Sequence, residues 1–278
     1  MIAKKNILFI LLSICLFIIP ASSLGAAYHE IAQEINKAFI AKKPCPLASQ
    51  KIKGLLVAQA YEIQSAVVKL RENEGEVIMG YKAGLFSPAG QKRFGVTEPI
   101  YGTLFKSMLR WPGKIYLKGH VRMFVEPEIG FRFNKDITGP VHDIGTLKRA
   151  VAIVYPAIEL PDLGFSNMKL LKGADIIAAN AGARKVLIGK AARAKDLNEV
   201  KIRVLHNDKE IASGMGKNAG GDQWKALRWV VNNVLAKGGK IKEGYIVITG
   251  CLTKLFPARP GKYLVDYGNF GRIEFQCR

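Results

Sequence analysis

Residues 124–133 read FVEPEIGFRF, and the reading of this stretch decides the fold. In an extended chain successive side chains point to opposite faces. Val125, Pro127, Ile129, Phe131 and Phe133 then form one apolar face, while Glu126 and Glu128 share the other. Two neighbouring carboxylates repel, so solvent, a basic partner or a metal ion has to offset the repulsion. On a merely solvated face Arg132 would serve as the neighbouring cation. A third carboxylate, Glu159, ends the apolar run VAIVYPAIEL at 151–160. It is either a strand end meeting solvent or a buried group with a partner, because a lone buried carboxylate is costly. If the three converge, they offer hard oxygen ligands with few imidazoles nearby, a donor set for magnesium or manganese rather than zinc.

Upstream of this strand the texture is helical. In AYHEIAQEINKAFIA, Tyr28, Ile31, Ile35 and Phe39 recur at helical spacing. The segment LASQKIKGLLVAQAYEIQSAVVKLREN repeats the pattern at Leu56, Ala60, Ile63, Val67 and Leu70, and Pro44 to Pro46 separates the two helices. After NEGE come short β-rich runs: VIMGYKAGLF, KIYLKGHVRMFVEPEIGFRF and RKVLIGK. KIRVLHNDKEIASG reads as two strands turning through Asn207-Asp208. Asp222 is placed to cap the helix WKALRWVVNNVLAK, with Trp224, Leu227, Val231 and Leu235 as its apolar stripe and Gly238-Gly239 as its stop. GYIVITG, GKYLVDYG and GRIEFQCR supply closing strands. No repeat, low-complexity tract or linker divides the chain. The expectation is one α+β domain over 27–278, with a helical layer at 27–75 and a β-rich core at 76–278.

Length and composition allow one large core, at 278 residues and 49% hydrophobic. Residues 1–26 carry two lysines, an apolar run from Ile7 to Pro20 and then small residues, the order of a signal peptide. A cut between Ser23 and Ala26 is expected, with a periplasmic or secreted product; the other reading is an uncleaved anchor. The formal net charge is +20, and +18 once Lys4 and Lys5 are lost. Such a balance favours anionic partners, including weak adhesion to anionic surfaces. The cations are scattered and no nucleic-acid motif accompanies them, so no nucleic acid is expected. Four cysteines fall to three on cleavage, Cys45, Cys251 and Cys277. That odd number without a CxxC spacing leaves at most one disulfide and excludes a zinc framework. GMGKNAGGD at 214–222 lacks the phosphate-loop spacing and reads as a flexible turn. None of His29, His120, His142 and His206 sits in a Ser/His/Asp setting.

The order ExE and then PAxE about thirty residues on resembles the hydratase and decarboxylase branch of the fumarylacetoacetate hydrolase superfamily, and most of all the 2-keto-4-pentenoate hydratases. GYKAGLFSPAGQKRFGVTEPIYGTLF, FVEPEIGFRF, PAIELPD, ADIIAANAGARKVLIGK, the segment from Ser213 to Ala236 and GYIVITGCLTKLFPARPG match in order. The resemblance covers nearly the whole mature chain. It implies a mixed β-sheet roll with an N-terminal helical layer, and a homo-oligomer is expected. Glu126, Glu128 and Glu159 match the three metal-binding carboxylates, for Mg²⁺ or Mn²⁺. Lys82 matches the lysine that faces the substrate, as catalytic and substrate-binding group. Asn180, Thr249 and Thr253 match substrate-approaching positions. The implied reaction is hydration of a small anionic 2-oxo or 2-hydroxy acid such as 2-hydroxypenta-2,4-dienoate. The cation would withdraw electron density while water adds at the distal alkene carbon.

Two segments depart from that pattern. Where the family commonly reads DEPDYG, this chain has Thr97-Glu98-Pro99-Ile100-Tyr101-Gly102, so Ile100 replaces a proton-handling aspartate. After PAIELPD, Leu163 and Gly164 stand where the family shows serine and arginine. Glu98 or water then takes the proton, or the reaction differs. The rival readings are an exported binding protein without turnover, and a decarboxylase or C–C hydrolase on the same metal platform.

Overall fold

The structure is a computed structural model that describes residues 21–278; residues 1–20 of the expected leader lie outside the described residues. Among the described residues no helix is long and apolar enough to cross a membrane. Three helices come first: α1 (Ala21–Ala41), α2 (Ala48–Lys51) and α3 (Val57–Asn73). Helix α1 buries Ile31 and Ile35, and α3 buries Ala60, Ile63 and Val67, so each packs one stripe against its neighbours. Leu56, expected in the α3 stripe, instead occupies the N-cap position and is 62% exposed. Its extended backbone takes it off the helical wheel, and its N–H donates to the Gln59 side chain.

The β-rich part then follows in order: β1 (Ile78–Gly84), α4 (Pro88–Phe94), β2 (Ile100–Phe105), β3 (Leu109–Arg110), β4 (Lys114–Ile115) and β5 (Phe124–Phe133). Next come α5 (Ile144–Arg149), β6 (Val151–Leu160), α6 (Gly173–Ala178), β7 (Lys185–Ile188), β8 (Lys201–His206) and β9 (Lys209–Met215). Helix α7 (Gln223–Ala236), β10 (Ile246–Ile248), β11 (Phe256–Pro257), β12 (Gly261–Asp266) and β13 (Arg272–Cys277) complete the chain. The larger sheet runs β2-β1-β10-β5-β6-β7-β3, with β11 also paired to β5; the smaller runs β4-β13-β12-β8-β9. The larger sheet is mixed, since β1 is parallel to β10 and β3 to β7 while its other pairs are antiparallel. This is the α+β roll with a helical layer that the resemblance implies.

The predicted hairpin is β8 and β9, joined by Asn207 and Asp208, both at positive φ (49° and 65°) as a tight hairpin turn requires. The Asp222 carboxylate accepts from the Lys225 N–H at 2.8 Å and caps α7. The buried face of α7 is Ala226, Leu227, Val230, Val231 and Val234, with Trp224 and Leu235 only half-buried. The helix is thus turned by about one residue from the expected stripe, which brings Gln223 inside. Of KIYLKGHVRMF, only Lys114–Ile115 forms a strand before β5, because a turn through Gly119 (φ 91°) interrupts it. Cys45, Cys251 and Cys277 are all free thiols, so the one disulfide that their number left open does not form among them.

Strand β5 is covered on both sides. Val125, Ile129, Phe131 and Phe133 join the larger core. The opposite face continues into a second cluster that includes Leu104, Phe105, Tyr155, Ala157, Val186, Ile246 and Ile248. That second face carries the candidate site.

Candidate metal and substrate site

Sheet register brings the carboxylates together. Strands β5 and β6 are antiparallel neighbours in which Glu126 stands opposite Glu159, and Glu128 opposite Ala157. Residues opposite one another share a face, and so do residues two apart on one strand. All three glutamates therefore project from the inner face, and one oxygen from each lies within 4.8 Å of the other two. On the same face, Lys82 of β1 pairs with Ile248, which pairs with Gly130. Its ammonium reaches across to Glu159, with Nζ 3.0 Å from Oε2.

The cluster is dry. Glu128 and Glu159 are fully buried, Lys82 is nearly so, and half-buried Glu126 is the member that meets solvent. The Gly250 N–H donates to Glu128 Oε2 at 2.6 Å. A positive φ of 101° at Gly250 turns the chain back after β10 so that this N–H points inward. Glu128 Oε1 and Glu159 Oε1 accept no hydrogen bond, and Glu159 Oε2 meets only the Lys82 ammonium. Burial pushes the Glu128 carboxyl well above its ordinary range, with repulsion from Glu159 and Glu126 adding to it. Burial also raises Glu126, and lifts Glu159 to about 7 despite the nearby Lys82. For Lys82 burial opposes the charge, but Glu159, Glu126 and Glu128 outweigh it and hold the pKa above its usual value.

Three converging carboxylates, two of them fully buried with unfilled lone pairs, and one cation leave an excess of two negative charges when ionised. A divalent cation offsets that excess, and an all-oxygen donor set suits a hard ion such as Mg²⁺. The residues present therefore fit a divalent metal.

The other expected positions separate into two groups. Ile100 is buried on β2, and it and the Lys82 ammonium both approach Gly84: a Cβ built there would sit 3.6 Å from Ile100 Cγ1 and 3.7 Å from Lys82 Nζ. Glu98, two residues earlier, is exposed. Asn180 does not present its amide to the carboxylates. It accepts from the Thr103 N–H at 2.7 Å and donates to the Thr103 carbonyl at 2.9 Å, clamping the β2 backbone. The buried Thr249 hydroxyl is likewise committed, donating to Gln223 Oε1 at 2.6 Å. Thr253 is half-buried and donates to the Lys254 carbonyl.

Sequence reasoning missed Gly250 and Gln223. The glycine in ITGCLT was the available signal for a tight turn; Gln223 carries none, because its role depends on the rotation of α7. Asn180→Ala is expected to cost about 2–3 kcal/mol by orphaning two buried main-chain groups, and to leave divalent-metal affinity unchanged. Thermal melts and calorimetric Mn²⁺ titration check this; a raised KM with unchanged stability would restore a substrate role.

A surface groove of about 1700 Å³ lined by Lys148, Trp224 and Asn269 contains none of these carboxylates. No protein-family model matches the chain. It is 31% identical over 213 residues to the 2-hydroxyhexa-2,4-dienoate hydratase of Comamonas testosteroni, covering 74% of this chain and 80% of the relative. It is 29% identical over 219 residues to the 2-keto-4-pentenoate hydratase of Burkholderia vietnamiensis, covering 77% and 83%. Among solved structures, the 4-oxalocrotonate decarboxylase of Pseudomonas putida G7, complexed with magnesium and adipate, superposes with a TM-score of 0.85 at 23% identity, over 91% of this chain and 98% of that one.

Proposed function

The chain belongs to the hydratase and decarboxylase branch of the fumarylacetoacetate hydrolase superfamily, and from that premise we propose that it is a divalent-metal-dependent hydratase. Its substrate would be a small unsaturated 2-oxo or 2-hydroxy acid such as 2-hydroxypenta-2,4-dienoate. The observation that carries this reading is the convergence of Glu126, Glu128 and Glu159 beside the buried Lys82, with unsatisfied oxygens on Glu128 and Glu159. The hydratase relatives give no support to a binding protein without turnover.

A divalent cation on these three glutamates would supply a Lewis acid that polarises the 2-oxo acid. Lys82 then has two tasks open to it: neutralising the substrate carboxylate and moving a proton. Ile100 contributes no proton, so Lys82 takes over the proton traffic that an acid at position 100 would share. Gly250 fixes Glu128 through its N–H. Dry surroundings strengthen each of these charge interactions. Export of the mature chain is part of the proposal and rests on the lysine, apolar and small-residue order of residues 1–26.

The test uses EDTA-stripped protein reloaded with Mg²⁺ or Mn²⁺ and a panel of 2-hydroxy-2,4-dienoates, with products identified by mass. Gain of one water, dependent on the metal, is expected. Loss of carbon dioxide would favour the decarboxylase reading. Failure of a metal-loaded protein on every panel member would overturn the proposal.

A further inference from the structure

At the other end of the roll's inner face lies a second hollow, of about 510 Å³. Its sheet residues are Met79 on β1, Ile246 on β10, Arg132 on β5, and Ile153 and Tyr155 on β6. On β1, β5 and β6 these positions are displaced from Lys82, Glu128 and Glu159 toward the same end. Arg132, Ile153, Tyr155 and Ile246 share the carboxylates' face, because Tyr155 stands opposite Gly130, and Ile153 and Ile246 opposite Arg132. Tyr155 precedes Glu159 by four residues, which puts the two about 13 Å apart along the strand.

The lining has a distinct chemistry. Met79, Leu109, Trp111, Ile153, Ile188 and Ile246 make an apolar wall, and Trp111 is 78% exposed at its edge. Arg110, Arg132 and Lys190 also line it, and no acidic side chain does. None of those three cations forms an ion pair among the described residues. Tyr155 is 4% exposed, and its buried phenol hydroxyl has no hydrogen-bond partner. A buried unpartnered hydroxyl is costly, and in a native protein it calls for a ligand group or ordered water. Tyr155 stands opposite Gly130, two residues before Arg132 on the neighbouring strand, so the two are diagonal neighbours on one face and a single acid group can meet both.

We propose that this hollow is a second binding site, separate from the metal site, for an aliphatic monocarboxylate. The acid group meets Arg132 and the Tyr155 hydroxyl, with Arg110 and Lys190 adding to the positive field. The alkyl tail lies along Leu109, Trp111 and Ile188. Three cations without a counter-charge select an anion, and the apolar wall selects a tail over a bare inorganic ion.

The test is titration of the full chain with octanoate, followed by Trp111 fluorescence and calorimetry, with and without Mg²⁺. Saturable one-to-one binding that ignores Mg²⁺ is expected. Affinity should tighten about fourfold for each methylene from hexanoate to decanoate until the hollow is filled. Arg132→Gln, at an exposed position that leaves the fold intact, should weaken octanoate at least about tenfold. Tyr155→Phe should weaken it by a smaller factor, and octanol should bind more weakly than octanoate. Absence of saturable binding overturns the proposal. So does equal affinity in Arg132→Gln, binding that requires Mg²⁺, or self-association that buries Trp111 while excluding the acid.

Discussion

Glu128→Gln is expected to remove specific divalent-metal binding and to lower turnover by about 10³-fold or more, while the metal-free protein becomes more stable. The two effects have one cause. Glu128 is fully buried, its Oε1 has no partner, and burial with two neighbouring carboxylates raises its pKa. Glutamine keeps the shape and still accepts from the Gly250 N–H, but it removes one repelling charge. A metal ligand should therefore be a liability to the empty fold and an asset to the loaded one.

The pH dependence of wild-type stability follows from the same shifts. The folded protein holds these carboxyls protonated to a higher pH than an unfolded chain does, with Glu159 near 7 against an ordinary 4.5. For Glu159 that contribution to stability is fully present below about 4.5 and is lost as pH rises through about 7, with Glu128 and Glu126 acting in the same direction. Metal-free melts should therefore fall across that window. The rise in Tm on adding Mg²⁺ should be larger at pH 8 than at pH 5, because protons no longer compete for the oxygens. In Glu128→Gln the pH slope should flatten and the Mg²⁺ response vanish. An undiminished Mg²⁺ response in the variant would remove Glu128 from the metal site.

Lys82→Met carries the second large effect, with the opposite sign for the metal. The ammonium is buried 3.0 Å from Glu159 Oε2. Removing one partner of a buried pair costs about 3–5 kcal/mol, because the other charge is left behind. At pH 8 the metal-free variant should lose about that much stability, and less at pH 5, where the carboxyls take up protons. Divalent-metal affinity should hold or increase, since Lys82 no longer competes electrostatically for the same oxygens. Turnover should fall by about 10²–10⁴-fold, the range for a lost proton-transfer group. Calorimetric Mn²⁺ binding measured beside turnover separates these expectations. Unchanged turnover would show that Lys82 serves only as a counter-ion.

Much of the fold was legible because it is written in local periodicity. The helical spacing of Ile31 and Ile35, the alternation of FVEPEIGFRF, the Asn207-Asp208 turn and the Asp222 cap each depend on a few adjacent residues, and each appears where expected. The misses lie where neighbours decide. Leu56 falls just outside the first turn of α3, and the rotation of α7 depends on what Gln223 finds to bond. Asn180 reads as a polar residue near a site, yet a backbone strand claims its amide.

The sequence by itself determined which residues could ligate a hard cation, and in what chemical company: two glutamates on one strand face, a third at the end of an apolar run, and a lysine in GYKAG. Only the tertiary structure decided that they meet. Antiparallel register sets Glu126 against Glu159, and the passage from β1 through β10 to β5 brings Lys82 to the same face. Alternation within a strand assigns a side chain to a face but cannot say which strand lies beside it, because that choice is made by long-range pairing and burial on both sides of the sheet.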